Sequence, residues 1–194
     1  LMREEALSGF GVATPEEGIQ VRDAMGPKGR RIRILVFSGS APWTEEKGAQ
    51  FEQSGLTPVL ANRDDLLFFL RGGWAAKIPF ELKFNTGMNR LGILYSEAKE
   101  VAGLLERLPP EARPQGIATH LAVAENPEHS LTRSQLERFR ALRSLLASTC
   151  PGAHFHFANS AAIWNQKYFD VAGLSDLVRP GISLYGVPPW AGAP

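Results

Sequence analysis

The sequence predicts an α/β protein: an incomplete (β/α)8 barrel of the TIM type, with about seven of its eight βα units present and the first unit missing. Short β-branched segments alternate with longer segments of helical periodicity along the chain, and this alternation is typical of a parallel sheet. Seven strands are one fewer than a closed barrel needs. Residues 1–7 have the composition of the end of a helix, which Gly9 would stop. We expect them to be the remainder of the missing unit.

Each predicted strand is a short run of apolar and β-branched residues bounded by glycine, proline or serine. The strands are predicted over residues 9–13, 33–37, 56–60, 80–85, 116–120 and 154–157, and a last strand over 177–179 and 183–185.

The segments between the strands carry helix start and stop signals. Thr14 is a predicted N-cap, and Pro15 is the first residue of a helix that extends to about Met25. Asn62 caps a second helix that extends to about Leu70. Further helices are predicted over residues 41–54, 96–108 and 132–147. The last of these has an apolar face at helical spacing.

The domain organisation follows from this order of elements. We expect residues 1–187 to form one partial barrel domain. Residues 188–194 read Pro-Pro-Trp-Ala-Gly-Ala-Pro, a composition typical of a linker. We expect that linker to begin the connection to a C-terminal β-domain that the chain does not contain.

Composition excludes several classes of function. The chain has 194 residues, 44% of them hydrophobic, which is enough to bury a core. A net charge of +1 without a basic stripe argues against a nucleic-acid partner. The longest apolar runs are far shorter than the roughly 20 residues of a membrane span. A single cysteine, Cys150, cannot form an internal disulfide. We therefore expect a cytoplasmic protein.

The segment from residue 83 to 92, KFNTGMNRLG, is the first candidate site. Lys83 and Asn85 point to the same side of their strand. Gly87 then turns the chain so that Arg90 can face the carboxyl end of the strand. A lysine that points into a barrel is unfavourable unless it is neutralised or paired. The alternative is a solvated lysine at a strand end and a surface arginine.

Two short loops follow the last two predicted strands, where barrels often bind phosphate. Ser160 lies in one loop among small residues, and Gly181 lies in the other. Both would allow the backbone to approach an anion closely, although each could also be an ordinary turn. His120 and Arg179 lie at strand ends nearby. Either residue could have a structural role or contact a ligand.

Four segments together resemble successive signatures of the bacterial alanine racemases, a family of fold-type III enzymes that depend on pyridoxal 5'-phosphate (PLP). They are residues 83–92, Thr119-His120, residues 156–161 (HFANSA) and residues 178–186 (VRPGISLYG), in the order and spacing of the family. Weaker similarity at residues 11–18 and 56–59 extends the resemblance over nearly the whole chain.

The resemblance implies roles for these residues. Lys83 matches a lysine that is often carbamylated and that holds the arginine matching Arg90, which lies near the cofactor and the substrate carboxylate. His120 matches a residue that packs near the pyridine ring and hydrogen bonds the arginine matching Arg179. That arginine faces the pyridine nitrogen. The positions that match the phosphate-binding residues are Asn159, Ser160, Gly181 and Ile182. We therefore expect Lys83, Arg90 and His120 to serve catalysis, Arg90 to bind substrate, and His120, Arg179 and the phosphate residues to bind PLP, with no metal.

The resemblance also implies an activity and partners. Members interconvert L-alanine and D-alanine, supply D-alanine for peptidoglycan and act as homodimers. The family's Schiff-base lysine and its second base, a tyrosine, have no counterpart in the sequence, so we expect this chain alone to be inactive. Asn85 and Asn89 also depart from the Asp and Gly found in many relatives.

Several alternatives remain open. The chain could belong to the non-catalytic, single-domain PLP-binding proteins, although their phosphate loop reads differently from residues 159–162. It could be a broad-specificity amino-acid racemase, a decarboxylase of the same fold class or a barrel scaffold that binds no ligand. More distantly, His154, His156, His120 and a carbamylated lysine are ligand types of a metal-dependent barrel hydrolase, although Arg90 and Arg179 would repel its metal ions.

Overall fold

A computed structural model describes residues 7–26, 29, 32–38 and 40–193. The predicted helix end at residues 1–7 therefore lies almost wholly outside the described residues. The strands are β1 (Gly9–Val12), β2 (Arg33–Val36), β3 (Thr57–Leu60), β4 (Glu81–Asn85), β5 (Ile93–Leu94), β6 (Gly116–Ala118), β7 (His154–His156), β8 (Ala158–Asn159) and β9 (Val178–Arg179). The helices are α1 (Pro15–Met25), α2 (Glu45–Ser54), α3 (Arg63–Arg71), α4 (Ala98–Glu106), α5 (Ser130–Leu146), α6 (Ser160–Trp164), α7 (Gln166–Phe169) and α8 (Val171–Leu174).

The sheet is parallel, and its strand order is β1-β2-β3-β4-β6-β7, with the short β5 paired to β4. Strands β8 and β9 form a separate parallel pair. Because each strand lies beside the next one in the chain and helices connect most of them, the sheet curls as part of a barrel. This confirms the predicted α/β fold, an incomplete (β/α)8 barrel.

The strand register sorts side chains onto two faces. Glu81 pairs with Gly116, which pairs with His154, while Lys83 pairs with Ala118, which pairs with His156. Paired residues of neighbouring strands point the same way, so these residues share the inner face. The outer face is apolar and packs against the helices. Its buried residues include Ile34, Val36, Leu60, Leu82, Phe84, Ile117 and Phe155.

Side-chain caps fix where the helices begin. Thr14 caps α1, with Pro15 in its first turn, and Asn62 caps α3, as predicted. Helix α2 begins at Glu45 rather than near residue 41, because the Thr44 side chain accepts the N–H of Lys47 and is the N-cap. No helix of the described residues is long and apolar enough to cross a membrane.

The last strand is shorter than predicted. It covers only Val178–Arg179, and Ser183 and Tyr185 lie in a 3-10 helix, Gly181–Tyr185, instead of a strand. Pro180 has no N–H to donate to a strand ladder. Gly181 follows with a φ of +21°, which turns the chain away from the sheet. This turn lies beside Ser160, whose hydroxyl contacts Pro180 and Ser183.

Candidate active site

Four of the predicted site residues converge at the carboxyl edge of the sheet. Lys83 lies near the end of β4, His120 follows β6, Arg179 ends β9 and Arg90 follows β4. Lys83, Arg90 and Arg179 are all close enough to His120 to lower its pKa. The four side chains therefore share one electrostatic environment, which contains three cationic groups.

Lys83 is a buried amine, only 6% exposed. Burial lowers its pKa to about 8, and the charges of Arg90 and Arg179 contribute in the same direction. Among the described residues, none of the ion pairs involves Lys83. A large fraction of the amine is therefore unprotonated, and nucleophilic, slightly above neutral pH.

His120 is a neutral imidazole at this edge. Burial lowers its pKa to about 4, and the three neighbouring cations contribute further. Its Nε2 lies 3.5 Å from the amide nitrogen of Asn159. His120 can therefore pack against a ligand at neutral pH without adding a positive charge.

Arg179 is held by three acceptors, but His120 is not one of them. Its guanidinium donates to Nδ1 of His156, to the carbonyl of Thr119 at 2.7 Å and to the carbonyl of Phe157 at 3.4 Å. The expected hydrogen bond between Arg179 and His120 is therefore wrong. Arg179 extends from β9 over the end of β7, where the inward-pointing His156 is the nearer imidazole. Burial lowers the pKa of Arg179 to about 10, so it remains a cation at neutral pH.

The two predicted phosphate loops meet through Ser160. Its hydroxyl donates to the carbonyl of Pro180 at 2.6 Å and accepts the N–H of Ser183 at 3.3 Å. Gly181 lies between them, and a Cβ atom there would come within 3.7 Å of the Ser160 hydroxyl. The two loops thus form one small surface of backbone and hydroxyl groups.

Asn159 and Ile182 flank this surface. The Asn159 side chain accepts the N–H of Ala162 at 3.0 Å and donates to the carbonyl of Leu121 at 3.3 Å. It therefore joins the loop after β8 to the loop after β6. Ile182 is 48% exposed, so it lies at the solvent side of the loops.

The segment that carries Arg90 is fixed by the two departures from the family pattern, Asn85 and Asn89. Oδ1 of Asn85 accepts the N–H groups of Gly87 and Asn89, both at 3.0 Å. Its amide group donates to Oδ1 of Asn89, also at 3.0 Å, a bond that an ionised aspartate could not donate. Asn89 has a φ of +57°, which asparagine tolerates better than most residues. Asn85 therefore supplies a donor for the side chain of Asn89, and Asn89 takes the backbone conformation for which a glycine would otherwise be favoured. Arg90 itself is exposed.

Three residues of the site were missed by the sequence reasoning: Glu81, Gln135 and His156. All three are fully buried. The alternation that predicts an inward-pointing Lys83 also predicts that Glu81, two residues earlier on the same strand, points inward. Gln135 is recognisable as a polar residue beside the apolar face of α5. His156 begins the signature at residues 156–161, but its only predicted role was that of a metal ligand, and both of its ring nitrogens are engaged, by Glu81 and Arg179.

Comparison with known proteins agrees with this geometry. The family model described as "Alanine racemase, N-terminal domain" matches residues 1–189. The alanine racemase of Carboxydothermus hydrogenoformans is 33% identical over 98% of the chain and 49% of its own length. The alanine racemase of Cereibacter sphaeroides is 36% identical over 95% of the chain and 47% of its own length. The chain thus spans about half the length of the curated relatives it matches.

Solved structures give the same result. The alanine racemase of Pseudomonas aeruginosa, described as biosynthetic, is 30% identical, with a TM-score of 0.77, over 95% of the chain and 47% of that protein. The alanine racemase of Bartonella henselae, solved with covalently bound pyridoxal phosphate, is 30% identical, with a TM-score of 0.74, over 93% of the chain and 49% of that protein. By sequence, fold and extent of match, this chain belongs to the alanine racemase family and corresponds to its N-terminal barrel domain.

Proposed function

We propose that the chain is the cofactor-binding barrel of a PLP-dependent alanine racemase, an isomerase that interconverts L-alanine and D-alanine. One observation carries this proposal: Lys83, Arg90 and Arg179 converge on the neutral His120. Among the described residues, no carboxylate forms an ion pair with any of the three cations. A site with this excess of positive charge favours anionic ligands. A phosphorylated cofactor and an amino-acid carboxylate are both anionic.

The donor groups of the site fit PLP. The loops joined by Ser160 carry hydroxyl and backbone N–H groups of the kind that bind phosphate, and Asn159, Gly181 and Ile182 complete this surface. A bound phosphate would replace the hydrogen bonds that the Ser160 hydroxyl makes to Pro180 and Ser183. Arg179 and His120 would hold the ring. The B. henselae relative carries the same cofactor.

PLP supplies, when bound, an electron sink that makes the α-proton of an amino acid acidic. Arg179 is a permanent cation that cannot accept a proton from a ring nitrogen. Opposite that nitrogen it would disfavour protonation and so limit side reactions such as transamination. His120, neutral because of its lowered pKa, would pack beside the ring without adding charge.

Arg90 would bind the carboxylate of the substrate, because an exposed guanidinium can make two parallel hydrogen bonds to it. Lys83 would act through Arg90. Its unprotonated amine can attack CO2, forming an N–C bond and releasing a proton, so that a carbamate anion replaces the cation. That anion would lie among Arg90 and Arg179 and would orient Arg90.

The wider role is also a proposal. We infer that the protein acts in the cytoplasm as a homodimer, with alanine as its small-molecule partner, and that its D-alanine serves peptidoglycan synthesis. Family resemblance supports these inferences.

Titration with PLP tests the proposal, with the purified protein and pyridoxal, which lacks the phosphate, as the control ligand. We expect saturable binding of PLP and much weaker binding of pyridoxal. We expect no formation of D-alanine from L-alanine by this chain alone, because the family's Schiff-base lysine and second-base tyrosine have no counterpart in the sequence. Ser160→Ala should weaken PLP binding about tenfold, since it removes one hydrogen bond to a charged group. Ser96→Ala, on an exposed surface position, is the matched control. Equal binding of PLP and pyridoxal would contradict the proposed cradle, and formation of D-alanine by this chain alone would contradict its expected inactivity.

A further inference from the structure

A chain of polar side chains crosses the inner face of the sheet from β2 to β9. Arg33 lies 3.3 Å from one carboxylate oxygen of Glu81. The other carboxylate oxygen lies 2.9 Å from Nε2 of His156, whose Nδ1 meets the guanidinium of Arg179. Glu81 and His156 are both 0% exposed. Four strands that are distant in sequence are thus joined through one imidazole.

The chemistry of the end groups determines where the proton of His156 lies. A guanidinium has donors only, so Nδ1 must offer a lone pair to Arg179. A neutral imidazole then carries its proton on Nε2, which donates to Glu81. Burial and the charge of Arg179 lower the pKa of His156, so a second proton is disfavoured. The tautomer with its proton on Nε2 is therefore the one that fits both partners at once.

Glu81 is suited to this role because its charge is balanced. An isolated carboxylate would be costly at full burial. Arg33 lies on one side of it, and the positive charge of Arg179 acts on it through the imidazole. The carboxylate in turn makes Nδ1 of His156 a stronger acceptor, because it withdraws positive character from the opposite ring nitrogen.

The backbone leaves a space for this carboxylate. Gly116 of β6 is in register with Glu81 of β4, and a Cβ atom at Gly116 would lie 2.4 Å from the Glu81 carboxyl carbon. Real Cβ atoms do not approach other atoms so closely, so only glycine fits here without a shift of Glu81. Gly116 is thus part of the same arrangement.

We propose that Glu81 is a positioning residue: it holds His156 in the Nε2-protonated tautomer and thereby holds Arg179 at the ligand site. The consequence for the ligand rests on the proposed function, because it requires that Arg179 contact PLP. The tautomer and the placement of Arg179 do not require it.

Nitrogen NMR of the histidine rings tests the positioning directly, in the purified protein without PLP. In the wild type we expect one tautomer of His156, with a protonated Nε2 and an unprotonated Nδ1. In Glu81→Leu, which removes the acceptor, we expect a second tautomer and broadened Arg179 side-chain signals. Glu81→Gln keeps an acceptor oxygen and should restore the single tautomer. Gly116→Ala displaces Glu81 and should reproduce the effect of Glu81→Leu.

The control is Leu105→Ala, which removes a fully buried side chain on the helix side of the sheet. It should lower stability without changing the His156 signals, whereas a purely structural role of Glu81 predicts the same outcome for Leu105→Ala and Glu81→Leu. A protonated Nδ1 in the wild type would overturn the proposal. So would an unchanged single tautomer in Glu81→Leu or, if that variant does not fold, in Gly116→Ala.

Binding of PLP separates this inference from the proposed function. Glu81→Leu should weaken PLP binding about tenfold, the effect of losing one well-placed hydrogen bond to a charged group, and Glu81→Gln should recover most of it. If the wild type does not bind PLP but the tautomers behave as expected, the proposed function fails and the positioning role stands. If PLP binds and Glu81→Leu changes neither the tautomer nor the affinity, the positioning role fails alone.

Discussion

Gln135 of α5 donates a hydrogen bond to the hydroxyl of Thr86, 3.1 Å away, although 49 residues separate them in the chain. The same amide nitrogen donates to the carbonyl of His120 at 2.9 Å, and its oxygen accepts the N–H of Ala122 at 2.9 Å. One buried side chain thus connects the loop that leads to Arg90 with the loop that contains His120. The helix that packs on the outer face of the sheet therefore also fixes the carboxyl edge.

Gln135→Leu should destabilise the protein by about 2 kcal/mol, because it leaves the partly buried N–H of Ala122 and carbonyl of His120 without these partners. The measurement is the free energy of unfolding from urea titration. Gln53→Leu, at an exposed position on α2, is the matched control and should change stability by less than about 0.5 kcal/mol. Equal effects of the two substitutions would show that the hydrogen bonds of Gln135 contribute nothing.

The amino-acid sequence predicts most of this fold because alternation, caps and turn residues act locally. The Thr14 and Asn62 caps, and the inward direction of Lys83, are examples. The partner of Arg179 could not be predicted in this way. His120 and His156 both lie at strand ends, and only the position of β9 relative to β7 decides which imidazole the guanidinium meets. The prediction that the last strand extends to residue 185 was wrong for a related reason. The β-branched and aromatic residues after Pro180 favour a strand, but the turn at Gly181 leads them away from any partner strand.

Acid should destabilise the protein through His120. Its pKa falls from the ordinary 6.5 to about 4 in the folded chain, so the unfolded chain binds more protons between these values. Stability is therefore lost as the pH falls from about 6.5 to about 4. His156, with a pKa lowered by burial and Arg179, contributes with the same sign. His120→Gln should remove part of the pH dependence in urea titrations between pH 7 and pH 4. Leu105→Ala should lower stability equally at every pH, and an unchanged pH dependence in His120→Gln would contradict the prediction.

Two glycine substitutions should have opposite effects on stability. Gly116→Ala forces a Cβ atom against the Glu81 carboxyl group and should destabilise the protein by about 1–3 kcal/mol, as expected for an overpacked interior. Gly103 lies inside α4, and a Cβ atom there would meet no atom within 4 Å. Gly103→Ala should stabilise by about 0.5–1 kcal/mol, because alanine loses less backbone entropy in a helix. Thermal unfolding of both variants checks the signs. A stabilising Gly116→Ala would mean that Glu81 moves freely and is not held where the structure has it.

Lys83 should react reversibly with CO2. Its pKa of about 8 leaves much of the amine unprotonated slightly above neutral pH, and the carbamate would replace one of three neighbouring positive charges with a negative one. Labelled bicarbonate should therefore give a carbamate carbon signal in NMR of the purified protein, and the signal should weaken as the pH falls below about 8 because the amine becomes protonated.

Lys83→Arg should abolish the signal, and Lys99→Arg, at an exposed position of α4, should not. A signal that survives in Lys83→Arg would assign the carbamate to another amine. If no signal forms in the wild type at pH 8, Arg90 must be oriented by the Asn85–Asn89 pair alone, and Asn85→Ala should then displace it.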